Sequence, residues 1–169
     1  MGGFLLSFSD SFLLAVLLWP FIAAFLTLPI LVIQYRRYNQ IIWRRAIGTY
    51  LFILYGLGLL SFTLYPMPDN PVAFCQAYQL SPQLVPFTFI SDIAHDGTRA
   101  ILQVVMNIAF FIPLGVFARL FFRWKFIPTL IIAGLVSLSI ETAQLTGAFG
   151  YYPCSYRLFD VDDLLINTI

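Results

Sequence analysis

Hydrophobic positions in this chain come in long unbroken runs, not in alternation with polar ones. Four runs, at about 12–33, 46–65, 100–122 and 126–145, carry only Arg119 and Glu141 as charged residues. At about 1.5 Å per residue, each is long enough to cross roughly 30 Å of hydrocarbon as an α-helix. A helix that is apolar all round has no water-facing side, so lipid or protein must surround it. The pattern predicts an all-α, polytopic transmembrane helical bundle with four spans. A fifth apolar run opens at Asp163 with Leu164-Leu165-Ile166 and stops at Ile169, too short to cross a bilayer. The expectation is therefore four spans plus a truncated or interfacial fifth, all within one transmembrane domain over 1–169.

Prolines and glycines refine this picture. Pro20 and Pro29 lie inside the first run, and each removes a backbone donor, so a kink or break is expected there. Pro66 and Pro68 end the second run, which holds Gly56 and Gly58, positions where a neighbouring helix can approach closely. Pro113 frees the carbonyl of Ala109 and reads as shaping the third helix rather than acting chemically.

Composition agrees with lipid as the solvent. Apolar residues make up 60% of the 169 positions and charged residues 10%, against about 25% charged in a soluble domain. A net charge of +1 offers no basic field for nucleic acid. The first Lys or Arg is Arg36, so the N-terminus lacks the basic start of a signal peptide, and the first run is expected to be a retained span. After Met1-Gly2-Gly3, Leu6 stands where a myristoylation signal needs Ser or Thr.

Charge asymmetry then orients the spans. Arg36, Arg37, Arg44 and Arg45 fall in loop 34–45, and Arg119, Arg123 and Lys125 in connection 119–125, seven of the nine basic residues. No acid accompanies them; Asp10, Asp69, Asp92, Asp96, Glu141, Asp160, Asp162 and Asp163 all lie elsewhere. By the positive-inside rule those two loops are cytoplasmic, and the N-terminus and connections 66–99 and 146–162 are extracytoplasmic. The localisation this implies is a multi-pass protein of the cell membrane. Cys75 and Cys154 then share an oxidising compartment. They either form a bridge that ties the two outer connections together or remain two thiols acting as small apolar residues.

Polar groups inside a span are costly and ask for a partner or a task. On the third run Arg99, Gln103 and Asn107 recur every four residues and share one helical face. Glu141 and Gln144 share a face of the fourth, with Ser137 one turn deeper. Asn107 and Glu141 each lie about 10 Å inside the outer boundary by helical rise, and the matching depth suggests that they meet. After Arg157 come Asp160, Asp162, Asp163 and Asn167. Asp160, Asp163 and Asn167 are three and four apart, so they fall on one face if a helix covers them all. An Asp before an apolar run is also a routine N-cap, and acids suit the first turn of a helix. The candidate ligand-binding residues are thus Asn107, Glu141, Gln144, Arg157, Asp160, Asp163 and Asn167. His95 stands in a polar connection near Asp92 and Asp96, a poor metal signal, and Ser91 lacks the surroundings of a catalytic serine. No zinc spacing, phosphate-cradling loop or cofactor motif is present, and no metal or cofactor is assigned.

The residues taken together resemble the VanZ-like family. The matching pieces are Leu64-Tyr65-Pro66, Val85-Pro86-Phe87, Asn107 with Phe111-Ile112-Pro113-Leu114-Gly115, Glu141 with Gln144, and Arg157-Leu158-Phe159-Asp160-Val161-Asp162-Asp163 leading to Asn167-Thr168. The resemblance is strongest over 64–169. It implies a bacterial membrane protein with an accessory part in resistance to glycopeptide antibiotics, teicoplanin in particular.

Three kinds of function fit these features. The first is an extracytoplasmic-facing polar site that binds a lipid-linked cell-wall precursor or a lipoglycopeptide, with membrane lipid as its surroundings and no nucleic-acid partner. Arg157 would hold a phosphate or carboxylate as a two-pronged donor. The alternative is a metal-dependent membrane enzyme acting on a lipid-linked substrate. Glu141, Asp160, Asp162 and Asp163 would be the oxygen ligands of Mg²⁺ or Ca²⁺, or Glu141 would serve as general base. A transporter is the third reading, disfavoured because the polar residues stop at the outer half and no inverted repeat is visible.

Overall fold

Each of the four apolar runs is a helix in the computed structural model, which describes residues 2–168, with side chains over 9–168. Side chains of the stretch read against lipidation, together with Ile169 where the fifth run stops, lie outside the described residues. The long helices are α1 (Gly2–Tyr38), α2 (Trp43–Leu64), α5 (Thr98–Leu120) and α6 (Phe126–Leu145). All four are long and apolar enough to cross a membrane, which makes the chain a multi-pass, all-α membrane protein. Between α2 and α5 come α3 (Pro71–Ala77) and α4 (Thr88–Asp96), and after α6 come α7 (Gly147–Gly150) and α8 (Val161–Thr168).

Two expectations about these elements are corrected. Of the kink or break expected in α1, the break does not occur: the helix runs through Pro20 and Pro29 without interruption. Each proline forfeits only its own hydrogen bond, and in lipid a wider opening would strand further backbone groups with no water to receive them. Connection 66–99 is also more ordered than a loop. Asn70 caps α3 by accepting the Ala73 N–H at 3.1 Å, with Pro71 in the first turn where its missing donor is harmless. Ser91 and His95 belong to α4, not to irregular chain.

The chain divides into two compact units, Met1–Pro66 and Met67–Ile169. The first is an antiparallel hairpin of α1 and α2. Polar side chains along its seam bond across it: Ser11 Oγ to the Tyr65 carbonyl at 3.1 Å, and Trp19 Nε1 to the Tyr50 carbonyl at 3.1 Å. The Thr27 and Tyr50 hydroxyls meet at 2.8 Å. Such bonds join helices where burial in lipid supplies little drive. At the turn, Arg45 donates to the Tyr38 hydroxyl at 2.8 Å and its guanidinium lies 4.6 Å from that ring's centre.

In the second unit α5 and α6 form the long hairpin, and α8 packs on both. Cys75 and Cys154 are bridged, with α-carbons 5.9 Å apart, which joins α3 to the segment after α7. Around that bridge Tyr152 is buried, packs on Phe74 and Tyr156, and donates to the Pro68 carbonyl at 3.3 Å. The turn out of α6 depends on Gly147. Its φ is +62°, and a Cβ there would stand 2.2 Å from the Tyr152 carbonyl oxygen. Only glycine meets both demands.

Candidate functional site

Why α8 starts where it does explains most of the site. Asp160 precedes its first turn and accepts the Asp162 N–H at 2.8 Å through Oδ1, as an N-cap does. The Asp160 N–H in turn donates to Oε2 of Glu141 at 3.0 Å, so a carboxyl of α6 receives the backbone at the head of α8. One turn further, Asp163 Oδ1 accepts from Asn107 at 2.5 Å and from Gln103 at 3.5 Å, both on α5. One more turn along, Asn167 donates to Ser137 Oγ of α6 at 3.0 Å. A helix of eight residues is thus pinned to both long helices by side chains at the spacing of its own turns.

The outer connection closes over this junction. Gln83 N–H donates to the Phe159 carbonyl at 2.8 Å and its carbonyl accepts the Val161 N–H at 3.1 Å, an isolated parallel bridge beside Asp160. Its side chain donates to Asp160 Oδ1 at 3.2 Å and to the Thr88 hydroxyl, and accepts the Val85 N–H at 2.5 Å. Asp162 turns the other way. Its carboxylate accepts the N–H groups of Phe87 and Phe89, at 2.6 and 2.9 Å, and the Thr88 hydroxyl at 2.8 Å. These are the open donors at the start of α4, whose own cap, Phe87, is in the left-handed region and gives no side-chain bond.

Burial sets the electrostatics. Glu141 and Asp162 are each 2% exposed, Asn167 7% and Asp160 8%. Burial raises the Asp160 carboxyl above its ordinary range, and the charges of Asp162 and Asp92 add to this against the bonds from the Asp162 N–H and Gln83. Burial acts upward on Asp162 too, yet the donors of Phe89, Phe87 and Thr88 outweigh it and hold that carboxyl below its usual value. Burial lowers the Arg157 guanidinium, which remains a cation at neutral pH.

The sequence-derived residues are thereby placed one by one. Asn107, Glu141, Asp160, Asp163 and Asn167 converge on α8. Asn107 and Glu141 do not bond to each other, as their matching depth suggested; each bonds to α8 between them. Nor do Asp160, Asp163 and Asn167 act as one face, because Asp160 is the cap while Asp163 serves α5 and Asn167 serves α6. Gln144 is buried in the last turn of α6, and its carbonyl accepts from Ser155 at 3.2 Å. Arg157 is half-buried, and its carbonyl also accepts from Ser155, at 2.7 Å. Arg99, on the stripe with Asn107, is exposed. Gln83 and Thr88 are parts of the junction that sequence reasoning missed. Their nearness to Val85-Pro86-Phe87 was the available signal.

The family profile VanZ/LLP1 matches residues 52–169. The chain belongs to the VanZ-like family. No curated protein and no solved structure gives a match. The VanZ-like match takes in every candidate residue and both cysteines, so the junction at α8 lies wholly within the family's part of the chain.

What this VanZ-like junction can do chemically follows from its donor and acceptor count. Each carboxyl spends a stated oxygen: Oε2 of Glu141, Oδ1 of Asp160 and Oδ1 of Asp163. Asn167 Oδ1 is buried and has no hydrogen-bond partner among the described residues. A metal centre fits less well. Among the described residues no three His, Cys, Asp or Glu side chains are grouped so as to hold an ion, and Asp162 is committed to the start of α4.

Proposed function

We propose that this VanZ-like protein binds the head group of an envelope amphiphile, a lipid-linked cell-wall precursor or a lipoglycopeptide, at the α5–α6–α8 junction, and so contributes to glycopeptide (teicoplanin) resistance. The observation that carries the reading is one unmet acceptor at the junction. Asn167 Oδ1, buried where α8 meets α6, has no donor among the described residues. A buried acceptor without a donor costs about 1–3 kcal/mol, so a ligand rich in hydroxyl and amide N–H groups gains by supplying them. Sugar and peptide head groups have that character, while their lipid chains stay in the bilayer beside the span. Arg157, a cation on the same connection, would take the phosphate or carboxylate of such a ligand. Under the positive-inside rule the junction faces the extracytoplasmic side of the cell membrane, where both ligands are met.

The test is tolerance of a teicoplanin-susceptible bacterium expressing the protein. Wild type raises tolerance, and Glu141→Gln and Arg157→Ala each abolish the rise at equal membrane abundance. Full tolerance in both variants would remove the junction from the account.

A further inference from the structure

From the junction a groove runs along α5 and α6 to Arg119 and Lys125 at the other end of the second unit. A cavity of about 920 Å³ lies between α5, α6 and the last turn of α8. Ile108, Phe111 and Ile112 of α5 face Leu130 and Ala133 of α6 across it. Along α5 its lining runs from Val104 to Arg119, about 22 Å by helical rise. That exceeds half of a hydrocarbon core roughly 30 Å thick. Polar groups gather at the far mouth: Arg119 and Lys125 line it beside Trp124. Both cations are exposed, and no acid occurs between Asp96 and Glu141 to neutralise them. Arg119 gives one N–H to the Trp124 carbonyl at 3.2 Å. A guanidinium has five such donors, so most of the fork is left for a ligand.

An apolar trough one leaflet deep, closed at one end by two cations and an indole, has the shape and charge of a bound lipid. We infer that the groove holds an anionic phospholipid, its phosphate on Arg119 and Lys125 and an acyl chain lying along α5 towards α8. Trp124 suits the level of the head group, where indole rings prefer to sit. The groove shares Asn167 and Phe89 with the α8 junction at its near end, but the inference rests on Arg119, Lys125 and Gly115 and survives failure of the junction reading.

Gly115 provides an internal probe. It lines the groove, and a Cβ built on it meets nothing within 4 Å. Gly115→Leu therefore fills the trough without pressing on the fold, and a helix interior favours leucine over glycine. Arg123 provides the control, a neighbouring exposed cation that does not line the groove. The experiment is native mass spectrometry of the full-length purified chain with phosphatidylglycerol or phosphatidylcholine, with thermal midpoints recorded in parallel. Wild type retains phosphatidylglycerol at least tenfold better than phosphatidylcholine. Arg119→Gln with Lys125→Gln removes the preference, Gly115→Leu removes retention at an unchanged midpoint, and Arg123→Gln alters neither. Equal loss in Arg123→Gln would mean diffuse charge attraction and overturn the site. So would undiminished retention in Gly115→Leu, or a wild type with no preference.

Discussion

The carboxylate of Asp162 accepts the backbone N–H of Phe89 at 2.9 Å across a sequence separation of 73 residues. With the Phe87 N–H and the Thr88 hydroxyl it forms a cap supplied from outside the helix it caps. The start of α4 is thereby attached to the start of α8, and the outer connection is held over the α5–α6 pair.

Asp162→Ala leaves these donors without an acceptor in a buried setting. Loss of about 3 kcal/mol is expected, more than for Asp162→Asn, which keeps one accepting oxygen. Thermal unfolding and amide exchange at residues 87–89 check this. Faster exchange there than in α6 is the expected signature.

The same carboxylate carries a pH dependence. Its pKa is depressed in the folded chain, so its stabilising effect is complete above the ordinary Asp value and fades as pH falls through the depressed one. The stability gap between wild type and Asp162→Asn should accordingly be widest at neutral pH and shrink on acidification. A gap that grew on acidification would contradict the assignment.

Cys75 and Cys154 are bridged across a separation of 79 residues. Loop-closure entropy for such a span makes the bridge worth about 4.5 kcal/mol. Cys75→Ser should lower the thermal midpoint and abolish the mobility shift that reductant causes in the wild type on a denaturing gel. Its formation in cells further requires that both outer connections lie in an oxidising compartment.

Gly147→Ala places a methyl group against the Tyr152 and Cys154 carbonyl oxygens, at 2.2 and 2.7 Å, in a left-handed backbone. Destabilisation of about 2 kcal/mol or more is expected, and reduced yield of folded protein with weaker burial of Tyr152 in fluorescence would register it.

The spans were legible because lipid imposes one rule on every residue of a crossing helix. Asn107 and Glu141 were legible because polar groups in apolar runs demand partners, and Asp160 and Asp163 because acids cluster ahead of the fifth apolar run. The identity of those partners was not. Helical spacing places Asn107 and Glu141 at one depth, but only packing shows that α8 stands between them, accepting a bond from Asn107 and donating one from its head to Glu141. Gln83 escaped notice because a glutamine in a polar connection carries no spacing signal, and its bond to Asp160 spans most of the second unit. Continuity of α1 through Pro20 and Pro29 is a matter of solvent: breaking a helix is favoured where water can receive the freed groups, and lipid cannot.

Glu141→Gln offers the most direct measurement on the central claim, because glutamine keeps an oxygen for the Asp160 N–H while replacing the other carboxyl oxygen with an amide group. Binding of teicoplanin and of a lipid-linked cell-wall precursor should be measured on wild type and variant in lipid nanodiscs. Saturable binding of at least one ligand to wild type, at least tenfold weaker in the variant at an equal thermal midpoint, is the predicted result. Absence of saturable binding to wild type, or equal binding by the variant, would show that the junction only holds helices together.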